Sequence, residues 1–225
     1  MGLGSWADWF SGTMSFIAVA VALLGYSIAS FQRKADQRER DETAARLLVM
    51  KVFQLVNRTD DIYRPLVEAL ARPPMDGLWG DQKWRRVRGV TGVRDDTGLA
   101  LDGSQEDMLI RLGEYSLLMS LMLEISRYRT LTQHMRDYVV RRDALLELHP
   151  APVEVDGVHA VLHLDRAEVM RVLPYANALE ALIKEILEQA EDNRTNTRAL
   201  GPACNDFVKK HFPRTKFPKL LAPNP

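Results

Sequence analysis

The sequence predicts a mainly α protein: an N-terminal transmembrane helix that continues into a cytosolic helical bundle with a small β-hairpin. One observation is an uncharged run from Trp9 to Phe31. A second is helical spacing of apolar residues through most of the chain beyond it. A third is a local switch to alternation over 153–164, centred on Asp156-Gly157.

No charged residue lies between Asp8 and Arg33. Residues 9–31 would rise about 34 Å as a helix, enough to cross the hydrocarbon core of a bilayer. Trp6, Trp9 and Phe10 stand at one end and Tyr26 and Phe31 towards the other, where amphipathic rings favour the membrane interface. Arg33, Lys34, Arg38 and Arg40 follow the run and no Lys or Arg precedes it. The positive-inside rule therefore places residues 1–8 outside and the bulk of the chain in the cytoplasm. A cleaved signal peptide is disfavoured, because the run is too long and lacks a positive leader.

Within the run, Ser11, Ser15, Ala18, Ala22, Gly25 and Ala29 step by four and three residues and share one helix face. Small side chains let helix backbones approach closely in lipid, so this stripe predicts self-association. The segment Trp6-Ala-Asp-Trp9-Phe-Ser-Gly-Thr13, followed by an Ala/Val/Leu span, resembles the opening of small uncharacterised bacterial and phage single-pass membrane proteins. The resemblance covers about 25 residues and implies an inner-membrane setting without any chemistry.

Residues 32–72 form a stalk and first bundle helix. Ala44, Leu48, Val52, Leu55, Thr59, Ile62, Leu66 and Leu70 recur about every 3.7 residues. Pro65 should kink this helix and Pro73-Pro74 end it. Residues 73–104 read as an irregular, Gly-punctuated insertion, with short β segments fitting near 85–93 and 98–101. A second helix is expected from about Ser104 to Leu148, capped by Ser104-x-x-Asp107. Its middle, Tyr115 to Ile125, is apolar nearly all round, which marks a central helix.

The remainder of 105–200 contains the hairpin at 153–164, an Asp165-x-x-Glu168 cap and a helix from Pro174 to about Asn193. A short helix near 197–211 and a basic, Pro-rich tail over 201–225 close the chain.

The formal charge is balanced, 30 Lys+Arg against 30 Asp+Glu, which excludes a chain-wide field for nucleic acid. The balance hides two clusters. Lys83, Arg85, Arg86, Arg88 and Arg94 fall in one acid-free stretch around Trp84, and Lys209, Lys210, Arg214, Lys216 and Lys219 in another, interleaved with Phe207, Phe212 and Phe217. Solvated surface, contact with lipid or protein, and nucleic-acid stacking all fit such residues. Cys204 stands alone, so neither an internal disulfide nor a Cys-based metal site can form.

No P-loop, GxGxxG, GxSxG or HExxH pattern is present, and no cofactor is predicted. His159 and His163 fall on a strand about 13 Å apart, without a third ligand, so no metal site is predicted. Arg129-Thr-Leu-Thr-Gln-His134 is similar to the Arg-x(4–6)-His motif of helical HEPN ribonucleases. The resemblance implies Arg129 and His134 acting on an RNA phosphodiester, although five residues of helix separate them by about 140°.

The expected function is a single-pass inner-membrane protein, homo-oligomeric, whose cytosolic domain engages an unidentified protein partner. An oligomerising membrane-perturbing effector and a membrane-tethered HEPN-like ribonuclease are the alternatives.

Overall fold

The computed structural model describes residues 4–74, 81–87, 98–148, 154–156, 159–161 and 165–218. Side chains are described from Met14 onward apart from Ser15 and the two short strands. Five helices are present among these residues: α1 (Gly4–Ala71), α2 (Lys83–Arg86), α3 (Gly103–Arg111), α4 (Tyr115–Glu147) and α5 (Arg166–His211).

α5 is the centre of the bundle, packing along both α4 and α1, which touch each other little. Paired side chains give the directions. Glu114, just before α4, meets Lys210 and His211 at the far end of α5, and His134 meets Gln189; α4 and α5 are antiparallel. Asp60 of α1 meets Arg194 and Arg198. The end where α1 enters the bundle thus carries the start of α4 and the end of α5. The opposite, distal end carries the C-termini of α1 and α4.

The helical spacing of α1 predicts its buried face. Ala44, Leu48, Val52, Leu55, Thr59, Ile62 and Leu66 are all buried, with Leu70 packed at the edge. On α5, Ala176, Leu179, Ile183, Ile186 and Ala190 are buried in the same way. Such a stripe is what α5 needs on each side to bury two neighbours.

Several boundaries depart from expectation. The helix expected over Ser104–Leu148 is two helices, broken where Gly113 adopts φ +74°, a left-handed conformation that glycine enters without a Cβ clash. The cap of α3 is Asp102 rather than Ser104; its carboxylate accepts from the Ser104 and Gln105 amides while Gln105 reaches back to the Asp102 amide. The hydrogen bond from Ser104 holds the Asp102 carboxyl below the usual range. Asp165 and Glu168 form the expected capping box, at the head of α5.

α5 then runs unbroken through Pro174 and Pro202, absorbing the separate helix expected near 197–211. The boundary expected at 200 falls inside it. Pro65 likewise lies within α1. All three prolines sit on exposed faces, where the carbonyl that loses its amide partner is open to water.

The expected hairpin is not supported as an element of the architecture. Glu154–Asp156 and His159–Val161 pair antiparallel as three-residue strands, Val155 opposite Ala160, and the rest of 153–164 lies outside the described residues. So short a pair is marginal in water, and the fold is mainly α. Near 85, where a β segment fitted, the chain forms α2. The Tyr138 hydroxyl, fully buried, faces the carbonyls of Trp84 and Val87 at 2.9 and 2.7 Å and pins α2 to α4.

Candidate functional site

α1 is long and apolar enough to cross a membrane, with a mean hydropathy of 1.5 over its most apolar window. None of that window is buried in the protein. Phe16 is 75% and Phe31 72% exposed. The core helix of a soluble domain would bury such residues, and among the described residues this stretch is not packed as one. Of the stripe residues, Ala18, Ala22 and Gly25 are exposed and Ala29 is half-buried; the side chain of Ser15 lies outside the described residues. Nothing lies within 4 Å of where a Cβ on Gly25 would stand. The stripe is therefore open.

The two basic clusters occupy opposite ends of the bundle. Lys83, Arg85 and Arg86 belong to α2 at the distal end. Arg86 donates to the carbonyls of Leu70 and Arg72, so it caps the C-terminus of α1, an internal structural duty. Arg88 and Arg94 lie outside the described residues. The second cluster, Lys209, Lys210, Arg214 and Lys216, lies at the end where α1 enters the bundle, with Lys219 outside the described residues. Lys210 and His211 each approach Glu114 at 2.7 Å, and their hydrogen bonds hold its carboxyl below the usual range.

No family model, curated protein or solved structure matches the chain.

A groove of about 410 Å³ runs between α4 and α5, walled by Ser116, Ser120, Ala199 and Ala203. Glu124 lines it and is buried. One carboxylate oxygen accepts from Arg127 at 2.7 Å; the other finds no partner among the described residues. Burial raises the pKa of this carboxyl despite Arg127. The sequence carries the signal as the lone acid in the apolar run from Leu117 to Ile125.

A raised folded-state value means that the unfolded chain releases this proton first, so the contribution of Glu124 to stability is full in acid and declines as pH rises past the ordinary carboxylate range. Glu124→Gln is expected to raise stability at pH 8 by about 1 kcal/mol and to flatten that decline. Thermal unfolding of wild type and variant from pH 4.5 to 8 checks this; parallel curves would count against it.

Arg129 and His134 are both on α4. Arg129 is exposed, whereas His134 is half-buried with Nδ1 3.0 Å from Gln189 Oε1. The helix is continuous between them, so their angular separation stands, and neither lines the groove or a neighbouring cleft. Among the described residues no three His, Cys, Asp or Glu side chains gather as a metal site, and His163 lies outside them. Cys204 is fully buried, which pushes its thiol up to about 12 and leaves it an inert core residue.

The bundle also exposes apolar side chains at helical spacing. Tyr115, Met119, Met122 and Leu123 form a stripe on α4, 48–65% exposed, and Leu47, Met50 and Phe53 lie about half exposed on α1. Residues at these spacings share one face of their helix.

Proposed function

We propose that this is a single-pass inner-membrane protein whose helical domain faces the cytoplasm and mediates protein–protein interaction at the membrane as a homo-oligomer. The unburied apolar stretch of α1, in one helix with the bundle, carries the proposal. The bacterial or phage setting follows the resemblance of residues 6–31. The orientation follows Arg33, Lys34, Arg38 and Arg40, all on one side of the stretch.

The open small-residue stripe supports self-association, and the exposed apolar stripes on α4 and α1 support partner binding. Arg129 and His134 line neither the groove between α4 and α5 nor the cleft beside α1, and their angular separation on a continuous α4 supports an interaction role over ribonuclease chemistry. One span per chain without an internal charge forms no pore alone, and a membrane-perturbing role would require the same self-association.

Fractionation tests the anchor: the full chain should stay in the membrane pellet after alkaline carbonate extraction. A tag beyond residue 218 should be protease-accessible only from the cytoplasmic side. Ala22→Ile together with Gly25→Ile should reduce crosslinked dimer severalfold while leaving the protein in the membrane, because the positions are open and the added volume meets nothing within one chain. Full retention of dimer would remove the stripe from the interface.

A further inference from the structure

We propose that the end of the bundle facing the membrane is a recognition site for the phosphate of anionic phospholipid headgroups; this rests on the membrane-spanning reading of α1. A shallow cleft of about 580 Å³ opens there, between the first cytosolic turns of α1 and the C-terminal end of α5. Its lining contains four cations, Lys34, Arg38, Lys210 and Arg214, against one carboxylate, Asp41.

The pairing around the cleft leaves charge to spare. Asp41 is held by Arg111 at 2.6 Å, Glu114 by Lys210 and His211, and Glu42 by Arg38 at 3.5 Å. Lys34 and Arg214 face the same cleft with no acidic partner among the described residues. An acid that is already paired does not neutralise them, so the cleft presents two free cations beside two partly committed ones.

Depth selects the ligand. Lys34 and Arg38 lie three and seven residues past Phe31, about 4.5 and 10.5 Å along the helix axis. The headgroup layer begins where the apolar stretch stops and is roughly 5–8 Å thick. The Lys34 end of the cleft thus sits within the headgroup layer, with Arg38 just past its cytoplasmic edge, within reach of lipid phosphates through a long side chain.

The site is also built in advance. Phe212 is buried between Phe207 and Phe217. Its amide donates to the Val208 carbonyl and its carbonyl accepts from the Thr215 amide. That turn fixes the backbone of Arg214, so the cation is delivered by folded structure, unlike a loose polybasic tail. Lys34 and Arg214, 180 positions apart in sequence, are brought to one cleft only because α5 runs back along α1 to the end where α1 enters the bundle. A free phosphate in the cytoplasm would meet the same cations but would gain nothing from this depth, which is why the leaflet is the source.

The test uses the full chain in nanodiscs of pure phosphatidylcholine and of phosphatidylcholine with a quarter phosphatidylglycerol. Binding to the native state raises its unfolding temperature. The wild type is expected to melt several degrees higher in the anionic discs. Lys34→Gln with Arg214→Gln should lose most of that gain, about fivefold in lipid affinity per charge.

Arg141→Gln with Arg166→Gln removes equal charge from exposed distal positions and should keep the gain. Inorganic phosphate added to phosphatidylcholine discs should not reproduce it. Equal gain in the Lys34/Arg214 variant, equal loss in the distal variant, or full replacement by phosphate would each overturn the headgroup site. Failure of the chain to enter discs would overturn the spanning reading with it, whereas entry without lipid preference would overturn the headgroup site alone.

Discussion

Arginine at both Ala20 and Leu23 is expected to move the protein from the carbonate-resistant membrane pellet into the soluble or aggregated fraction. The two positions lie near the middle of the uncharged run and close to the level of the bilayer centre. Each charge there costs about 2.5–3.5 kcal/mol of insertion on translocon-based scales, so the pair costs about 5–7 kcal/mol. An insertion equilibrium favoured by a 23-residue apolar stretch is thereby close to reversed. Ala20→Leu with Leu23→Ile, which changes shape without charge, should leave the pellet unchanged. Retention of the double arginine variant in the pellet would show that the run is held by protein contacts instead of lipid.

Ile183→Ala is the substitution expected to cost the bundle most. Ile183 is fully buried on α5, the helix that packs on both α1 and α4, and the cavity it leaves is bounded by rigid helices on two sides. Losing three methyl or methylene groups there costs about 3 kcal/mol, the transfer energy plus the unfilled volume. With a typical dependence on urea, the unfolding midpoint of the detergent-solubilised chain should fall by about 1.5 M. Met170→Ala, on the exposed side of the same helix, should shift it by less than about 0.5 kcal/mol. Equal effects at the two positions would mean that α5 is not the centre of the core.

These expectations draw on features that the sequence shows to different degrees. The apolar register of α1 and α5 was readable because each buries a narrow stripe against neighbours and leaves charge elsewhere; Leu48, Leu55, Ile62, Ile183 and Ile186 could be named before any coordinates. Helix ends were less readable. Pro65 reads as a kink and Pro174 as a helix start, yet each lies inside a continuous helix at a solvent-facing position where the lost hydrogen bond is replaced by water. Conversely, Gly113 lies within an apolar pattern that continues across it, so the turn between α3 and α4 was hidden.

Proximity in space was least readable of all. Lys210 and Glu114, or Asp60 and Arg194, meet only because antiparallel helices of matched length bring distant residues level, which no local pattern encodes. The two basic clusters looked equivalent as sequence. Folding separates them into one that caps the carbonyls at the distal end of α1 and one gathered where α1 enters the bundle. Glu124 was visible as an oddity in an apolar run, but that one of its oxygens lacks a partner among the described residues is a property of the groove around it.

α1 is one helix from Gly4 to Ala71, and that continuity makes it a lever. About 60 Å of helix separate Phe31 from Ala71. With α1 spanning a bilayer as proposed, a change of about 10° in its tilt, within the range that such helices adopt, would sweep the far tip of the bundle through about 10 Å. Thickening or thinning of the bilayer would then be read out as a displacement at α2, well beyond the reach of any lipid.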